Sequence, residues 1–327
     1  MKHFLISLMV LTLFLPSGCL EEQSDSDIGE KHDNYAVYNL KPRAVEIVRT
    51  GLLDKNGIIR TNSIEVVSEA GLEELMPVVA KLITDDLTAV RFAAAVSIGD
   101  MRYSAAENSL MLLLHNENEN LRIAGAYGLV KLGKRRYADI VRKSLKSKNQ
   151  QVRANAVWLL GKMGYKKDVK LLYDILGDAN SGFSTKAQAE EAIARIGDAN
   201  IYPRLWELLI SKFADDRVMG IRAMGLLGTK DAQDSLVKML YDDVLEVRLC
   251  AAEELGRLGD KTGEPVVLDY FTLKKPNLHE ESVTNTLSSR AIGHIGGSLT
   301  KYLPKYLDSR SKVVRLNGAY AVLISTR

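Results

Sequence analysis

"VRANAVWLLGKMG", residues 152–164, is a helical stretch that ends on a glycine, and the chain writes it more than once. Residues 247–259 read "VRLCAAEELGRLG" and residues 216–228 read "DRVMGIRAMGLLG". With the basic residue after the valine as a reference, the aligned positions are Arg60, Arg91, Arg122, Arg153, Lys186, Arg217, Arg248, Asn285 and Arg315. Their spacings are 31, 31, 31, 33, 31, 31, 37 and 30 residues. A sustained period of this kind is the signature of a repeat architecture. Nine units fill nearly everything after residue 40.

The columns of the repeat are structural. Three residues past the reference stand Ser63, Ala94, Gly125, Ala156, Ala189, Gly220, Ala251, Ser288 and Gly318, all small. Seven past it, Val67, Ile98, Leu129, Leu160, Ile193, Met224, Leu255, Ile292 and Val322 are all apolar. Eleven past it, glycine recurs at 71, 133, 164, 197, 228, 259 and 296, where a left-handed residue stops a helix. A second apolar stretch precedes each of these helices, as in "LEELMPVVAKLI" (72–83), "ADIVRKSL" (138–145) and "AQDSLVKML" (232–240). Each unit is therefore two helices and two turns.

"VRFAAAVSIG", "VRANAVWLLGKMG" and "VRLCAAEELGRLG" resemble HEAT repeats, and among them the short HEAT-like repeats first recognised in phycobilisome lyases. The resemblance covers about residues 41–327. It implies an all-α fold, a right-handed α-solenoid (superhelix) of about nine two-helix repeats of about 31 residues, in which each unit contacts only its neighbours. With packed helices ~10 Å apart, such a body is on the order of 80 Å long. In that family the arginine pairs with an aspartate of the preceding turn. This implies Asp85 or Asp86 for Arg91, Asp242 or Asp243 for Arg248, and Asp308 for Arg315, while "SKNQQVR" in the fourth unit has no such acid. Arg60, Arg91, Arg122, Arg153, Arg217, Arg248 and Arg315 read as turn-fixing scaffold. The long spacing places an insertion around "TLKKPNLHEES", and the last unit lacks a terminal glycine. That end either packs on something or frays.

The first residues are of another kind. "MKH" is basic, "FLISLMVLTLFL" (4–15) is apolar, and "PSGC" brings small residues before Cys19. The apolar core is too short for a comfortable membrane span and reads as an export signal. It resembles a bacterial lipoprotein signal (1–18), which implies lipidation of Cys19, although Pro16 stands where the pattern has leucine; ordinary secretion is the alternative. With Cys250 the sole remaining thiol, no intramolecular disulfide is expected. Residues 19–40 form an acidic, flexible tether: Glu21, Glu22, Asp25, Asp27, Glu30 and Asp33 against Lys31, in a chain of net charge +3. The expected address is the cell envelope, and the outer membrane in a Gram-negative cell, because Leu20 and not aspartate follows Cys19.

Function is sought in the variable columns. Five past the reference stand Glu65, Val96, Tyr127, Trp158, Glu191, Arg222, Glu253, Arg290 and Tyr320; nine past it stand Glu69, Asp100, Lys131, Lys162, Arg195, Leu226, Arg257, His294 and Ile324. Four residues apart, the two columns share a helix face, the one that lines the concave side of HEAT-like solenoids. Tyr127 and Trp158, backed by Lys131 and Lys162 and followed by Arg195, Arg222, Arg257 and Arg290, compose a surface suited to anchoring a protein partner. The bland alternative is that Trp158 covers its neighbours and the charges solvate the face.

An enzyme finds poor material. His3, His32, His115, His279 and His294 form no HExxH, no paired His-Glu helices and no cysteine cluster, so no catalytic residue, metal or cofactor is expected. Export argues against nucleic acid. The expectation is a non-catalytic, membrane-tethered scaffold that binds a protein on its concave face. Its alternative, implied by the family resemblance alone, is an accessory lyase- or chaperone-like protein that clasps a partner during modification.

Overall fold

The computed structural model describes residues 36–327. The signal segment, Cys19 and most of the tether lie outside the described residues. Each of the nine units has a short first helix and a longer second one. The first helices are α1 (Lys41–Leu52), α3 (Met76–Lys81), α5 (Glu107–Leu113), α7 (Ala138–Ser144) and α9 (Val169–Gly177). They continue as α11 (Tyr202–Leu209), α13 (Lys230–Met239), α15 (Glu264–Asp269) and α17 (Leu303–Leu307). The second helices are α2 (Gly57–Ala70), α4 (Thr88–Asp100), α6 (Glu119–Lys131), α8 (Gln150–Met163) and α10 (Phe183–Ile196). The rest are α12 (Ala214–Leu227), α14 (Leu245–Arg257), α16 (Val283–Ile295) and α18 (Lys312–Ser325).

Local chemistry sets these boundaries. Pro42, Pro77, Pro203, Pro265 and Pro304 open first helices, where the missing N–H is not needed and φ is already helical. The stop glycines take positive φ, as at Gly164 (72°) and Gly197 (86°). In the second unit that position is Arg102, which adopts φ 49° despite its side chain.

Two small columns bring backbones together. The third-position residue faces its own first helix: a Cβ on Gly125 would lie 2.8 Å from Leu113 Cβ, and one on Gly220 2.9 Å from Leu208 Cβ. Eight past the reference a further column faces the next second helix. There a Cβ on Gly99 would lie 2.8 Å from Gly128 Cα, and one on Gly161 2.8 Å from Ala192 Cα.

The reference arginines do fix turns, but in a register different from the expected one. Arg122 donates to the carbonyls of Asn116 (2.7 Å) and Glu117 (2.8 Å), and Arg248 to those of Asp242 (2.7 Å) and Asp243 (3.2 Å). Arg315 holds the carbonyls of Ser309 and Arg310, whereas Arg91 bonds, among the described residues, only Thr88 Oγ1 (3.0 Å). The aspartates pair one unit backward. Asp85 and Asp86 receive Arg60 at 2.7 and 3.1 Å, Asp242 and Asp243 receive Arg217 at 2.8 and 3.0 Å, and Asp178 receives Arg153 at 2.5 Å. The aspartate caps its own turn, as Asp85 accepts from the Leu87 amide at 2.9 Å, and this aims its free oxygen at the previous unit. Asp308 is not with Arg315 but with Arg43 of the first unit, at 2.7 Å.

That last pair marks the main departure from an elongated body: the ends meet. Helix α18 packs on α1 and α2 as on a neighbouring unit, burying Ala44, Val48, Leu52, Leu316 and Tyr320. Arg43 also donates to the Leu307 carbonyl at 2.9 Å, and Lys312 reaches Asp54 at 2.6 Å. Arg327 donates to the Glu69 carbonyl. The apolar edge left by the last unit thus finds its cover in the first, and the solenoid is a closed ring. A groove of about 200 Å³ marks the seam, lined by Arg43, Glu46, Thr50, Asp54, Lys312 and Arg315.

Arg102 tests the stop position. Arg102→Gly removes the left-handed strain and should raise stability by about 0.5–1 kcal/mol, read as a higher denaturant midpoint with an unchanged slope.

Candidate functional site

Closure decides what the two variable columns can do. Nine second helices spaced ~8–10 Å apart on a ring place their axes ~12–15 Å from its centre. Backbone cylinders of radius ~2.3 Å then leave ~10–13 Å between each helix and the centre, into which the long side chains of the two columns extend. The concave face expected to lie open to a partner is instead a filled centre, because its long side chains are largely withdrawn from solvent and pair with one another over one or two units.

Tyr127 is fully buried and its hydroxyl donates to Asp100. Lys162, two units on from Asp100, donates to the same carboxylate at 2.6 Å. Its ammonium stands 4.9 Å from the Trp158 ring centroid and 6.0 Å from that of Tyr127. Trp158 is 4% exposed and tilts against Phe92 at 6.2 Å. Lys131 is half-buried, and burial lowers its pKa although Asp100 pulls it upward. Arg195 pairs with Glu191 one turn back, while burial, with Arg257 adding to it, lowers its pKa.

Arg290 is the centre's main junction. It donates to Glu253 at 2.6 Å and, across the seam, to Glu69 at 3.2 Å; its guanidinium lies 4.1 Å from the Tyr320 ring centroid. His294 meets the Tyr320 hydroxyl at 3.0 Å, and burial followed by Arg290 lowers its pKa to about 4. Arg222 stands 3.7 Å from Glu253 and 4.0 Å from Glu254, and Arg257 bonds Glu254. Burial would raise Glu253, but Arg290 and Arg222 outweigh it and hold the group low. Val96 and Leu226 are buried apolar members, and Ile324 is half-buried.

The centre is densely charged. Glu65, Glu69, Asp100, Glu191, Glu253 and Glu254 share it with Lys131, Lys162, Arg195, Arg222, Arg257 and Arg290, six carboxyl groups beside six cations, with Glu65 the carboxyl that burial keeps protonated at neutral pH. Glu254 and Phe92 belong to neither column and escaped the sequence reading. The signal for Glu254 was Gly225, whose missing side chain leaves room for that carboxylate. Glu65 and Lys131 have no hydrogen bond or ion pair to described residues, and Trp158 Nε1, Arg195 Nε, Glu253 Oε2 and Arg257 Nη1 are buried without a hydrogen-bond partner among them. Glu65 and Trp158 border a cavity of about 40 Å³ lined also by Glu69, Phe92, Asp100 and Lys162, room for a few waters.

Nothing in this arrangement is a nucleophile set up beside a base. Cys250 is fully buried, and burial pushes its thiol up, away from the reactive thiolate. Among the described residues no three His, Cys, Asp or Glu side chains are grouped to hold a metal ion, and no helix is long and apolar enough to cross a membrane.

Comparison with known proteins places the repeat. Residues 107–194 match the model for HEAT repeats, so the third to fifth units are HEAT-repeat sequence, and the other units share their helix pairs and turn chemistry. No curated protein matches the chain. Among solved structures it is similar to the CpcE–CpcF complex of phycocyanin lyase from Nostoc sp., at 20% identity over 76% of this chain and 94% of that one, with a TM-score of 0.43. It is similar also to human deoxyhypusine hydroxylase in complex with glycerol, at 16% identity over 79% and 98%, with a TM-score of 0.37. Importin beta aligns at 13% identity over 88% of this chain and 48% of its own, with a TM-score of 0.33.

Two measurements probe the centre. Arg290→Met strands Glu69 and Glu253 in a dry interior and should lower stability by about 3–5 kcal/mol at neutral pH, measured by chemical denaturation. Glu65 is pushed from 4.5 to about 8, first by burial and then by Glu69. The folded state keeps a proton that the unfolded chain has released, so this group takes stability away as pH rises from 4.5 to about 8. Glu65→Gln should therefore gain on the wild type across that window and hold a level advantage above it, in denaturation midpoints followed against pH.

Proposed function

We propose that this protein is a non-catalytic interaction scaffold, tethered to a membrane through a lipid on Cys19, that docks a protein partner on one rim of the ring. The observation that carries the reading is where the large exposed apolar side chains fall. Leu53, Ile58, Leu87, Leu112, Phe183, Ile210, Phe213, Tyr241, Leu273 and Val283 are all exposed. Every one sits at the turn from a first helix to its second, which is to say on a single rim. Among the described residues the remaining large exposed hydrophobe is Tyr38. Apolar surface gathered on one side marks an interaction site more strongly than the same residues scattered singly.

Tether and docking rim fall on opposite sides. Helix α1 begins at Lys41 on the far rim and ends beside Leu53, so a chain anchored through its N-terminal segment holds the apolar rim away from the anchor. The alternative, a lyase- or chaperone-like clasp, draws less support, because a clasp needs a concave face to receive its partner and this centre is already filled by its own side chains.

Phe213 is 59% exposed and Tyr241 84%, so replacing them should move stability by no more than about 0.5 kcal/mol. Phe213→Asp combined with Tyr241→Asp is expected to abolish capture of the partner by a photo-crosslinker placed at Ile210 in the native envelope. Undiminished capture by the double variant would remove the rim from consideration.

A further inference from the structure

The opposite rim, made by the turns from each second helix to the next first helix, has its own chemistry. Arg135, Arg136, Lys166, Lys167 and Lys170 occupy two successive turns there, all exposed. None of the five has a carboxylate within ion-pair distance among the described residues. The acids that share this stretch are already engaged: Glu107 by Lys134 at 3.1 Å, Asp139 and Asp168 by Arg142 at 2.6 and 2.9 Å. Five exposed cations on two adjacent turns, with the local acids engaged by other partners, make a concentrated patch of positive charge.

Aromatic rings lie under the cations. Arg136 stands 4.9 Å from the Tyr137 centroid and Lys167 5.7 Å from that of Tyr165, both tyrosines half-buried. The same arrangement recurs on this rim at Tyr302, with Lys301 at 5.3 Å and Lys305 at 5.9 Å. Elsewhere this rim is mixed, with Glu73, Glu74, Asp198, Asp231, Asp260 and Glu264 in its other turns, so the basic group is confined to the two turns around Tyr137 and Tyr165. Helix α1 also starts on this rim, at Lys41.

We propose that this rim rests on an anionic lipid surface. Its cations meet phosphate headgroups, each adding about fivefold to the contact equilibrium. The amphipathic tyrosines sit at headgroup depth, where one apolar face and one polar tip are both satisfied. An acidic protein would also answer the charge, but the lipid surface is favoured because the segment proposed to carry the anchor leaves from this same rim. The inference rests on the tethered reading for that preference alone.

The test uses the full chain with Cys19→Ser, so that its outcome does not depend on lipidation, which is read separately from the intact mass of the wild-type chain. An environment-sensitive dye is attached at Ala199→Cys on the basic rim or at Ala179→Cys on the apolar rim, both exposed and at opposite ends of α10. Vesicles of phosphatidylcholine alone are compared with vesicles containing phosphatidylglycerol. The dye at 199 should report an apolar, shielded setting on the anionic vesicles only, and lose it at high salt. Arg135→Glu, Lys166→Glu and Lys170→Glu together should weaken that contact roughly a hundredfold, while reversal of Lys146, Lys148 and Lys212 on the other rim leaves it intact. Equal signals on the two kinds of vesicle, an equal response at 179, or equal loss in both triple variants would overturn the proposal.

Discussion

Everything in this molecule follows from the meeting of α18 with α1. An open stack of helix pairs leaves two apolar ends and a solvated concave groove, and its long side chains are then free to vary. Once the ends meet, the second helices surround a space too narrow for a partner and too wide to stay empty. It has to be filled from within, and only long side chains reach. Long side chains are mostly charged, so their charges must also find partners. Arg290, bonded to Glu253 on one side and to Glu69 across the seam, meets both requirements at once.

The same constraint explains why the ring closes through ion pairs as well as apolar contact. Isolated exposed pairs such as Arg43–Asp308 contribute little, so Ala44, Val48 and Tyr320 carry the attraction between the ends. What the pairs add is register. Each unit presents much the same apolar face, and α18 could slide along α1 without losing burial. A slipped seam would strand Glu69 without Arg290, which in a dry interior is costly. A filled centre whose buried charges need their partners therefore selects one closure among several of similar apolar area.

How much of this was written in the sequence depends on the range of the interaction. Features within a unit were legible: the period, the small third column, the stop glycines and both helices of each pair follow from residues a few positions apart. The aspartate–arginine pairing was read one unit out of place, because the turn fixes the aspartate's own backbone bond but not which arginine its second oxygen faces. Closure was not legible at all. It depends on a small rotation between neighbouring units, accumulated over eight steps, and no column encodes an angle. The variable columns were correctly seen to share a face. Whether Trp158 and Arg222 would meet solvent or other side chains of the centre turned on that missing angle, as did the choice between a last helix that packs on something and one that frays.

With the centre occupied, the surface divides by the direction of the chain. First helices rise from one rim and second helices return to it, so each kind of turn gathers on its own side of the ring. The entering turns must start a helix after a left-handed residue, and in doing so they hold Tyr137, Tyr165 and Tyr302 half-buried beneath exposed cations. The turns at the tops of the units are fixed by arginine from below and by aspartate from the side, which leaves the positions flanking them without a structural task. Phe213, Tyr241 and Leu53 occupy such flanking positions. Large exposed apolar side chains there add little burial to the ring, and Phe213 meets the ammonium of Lys212, 4.9 Å from its ring centroid.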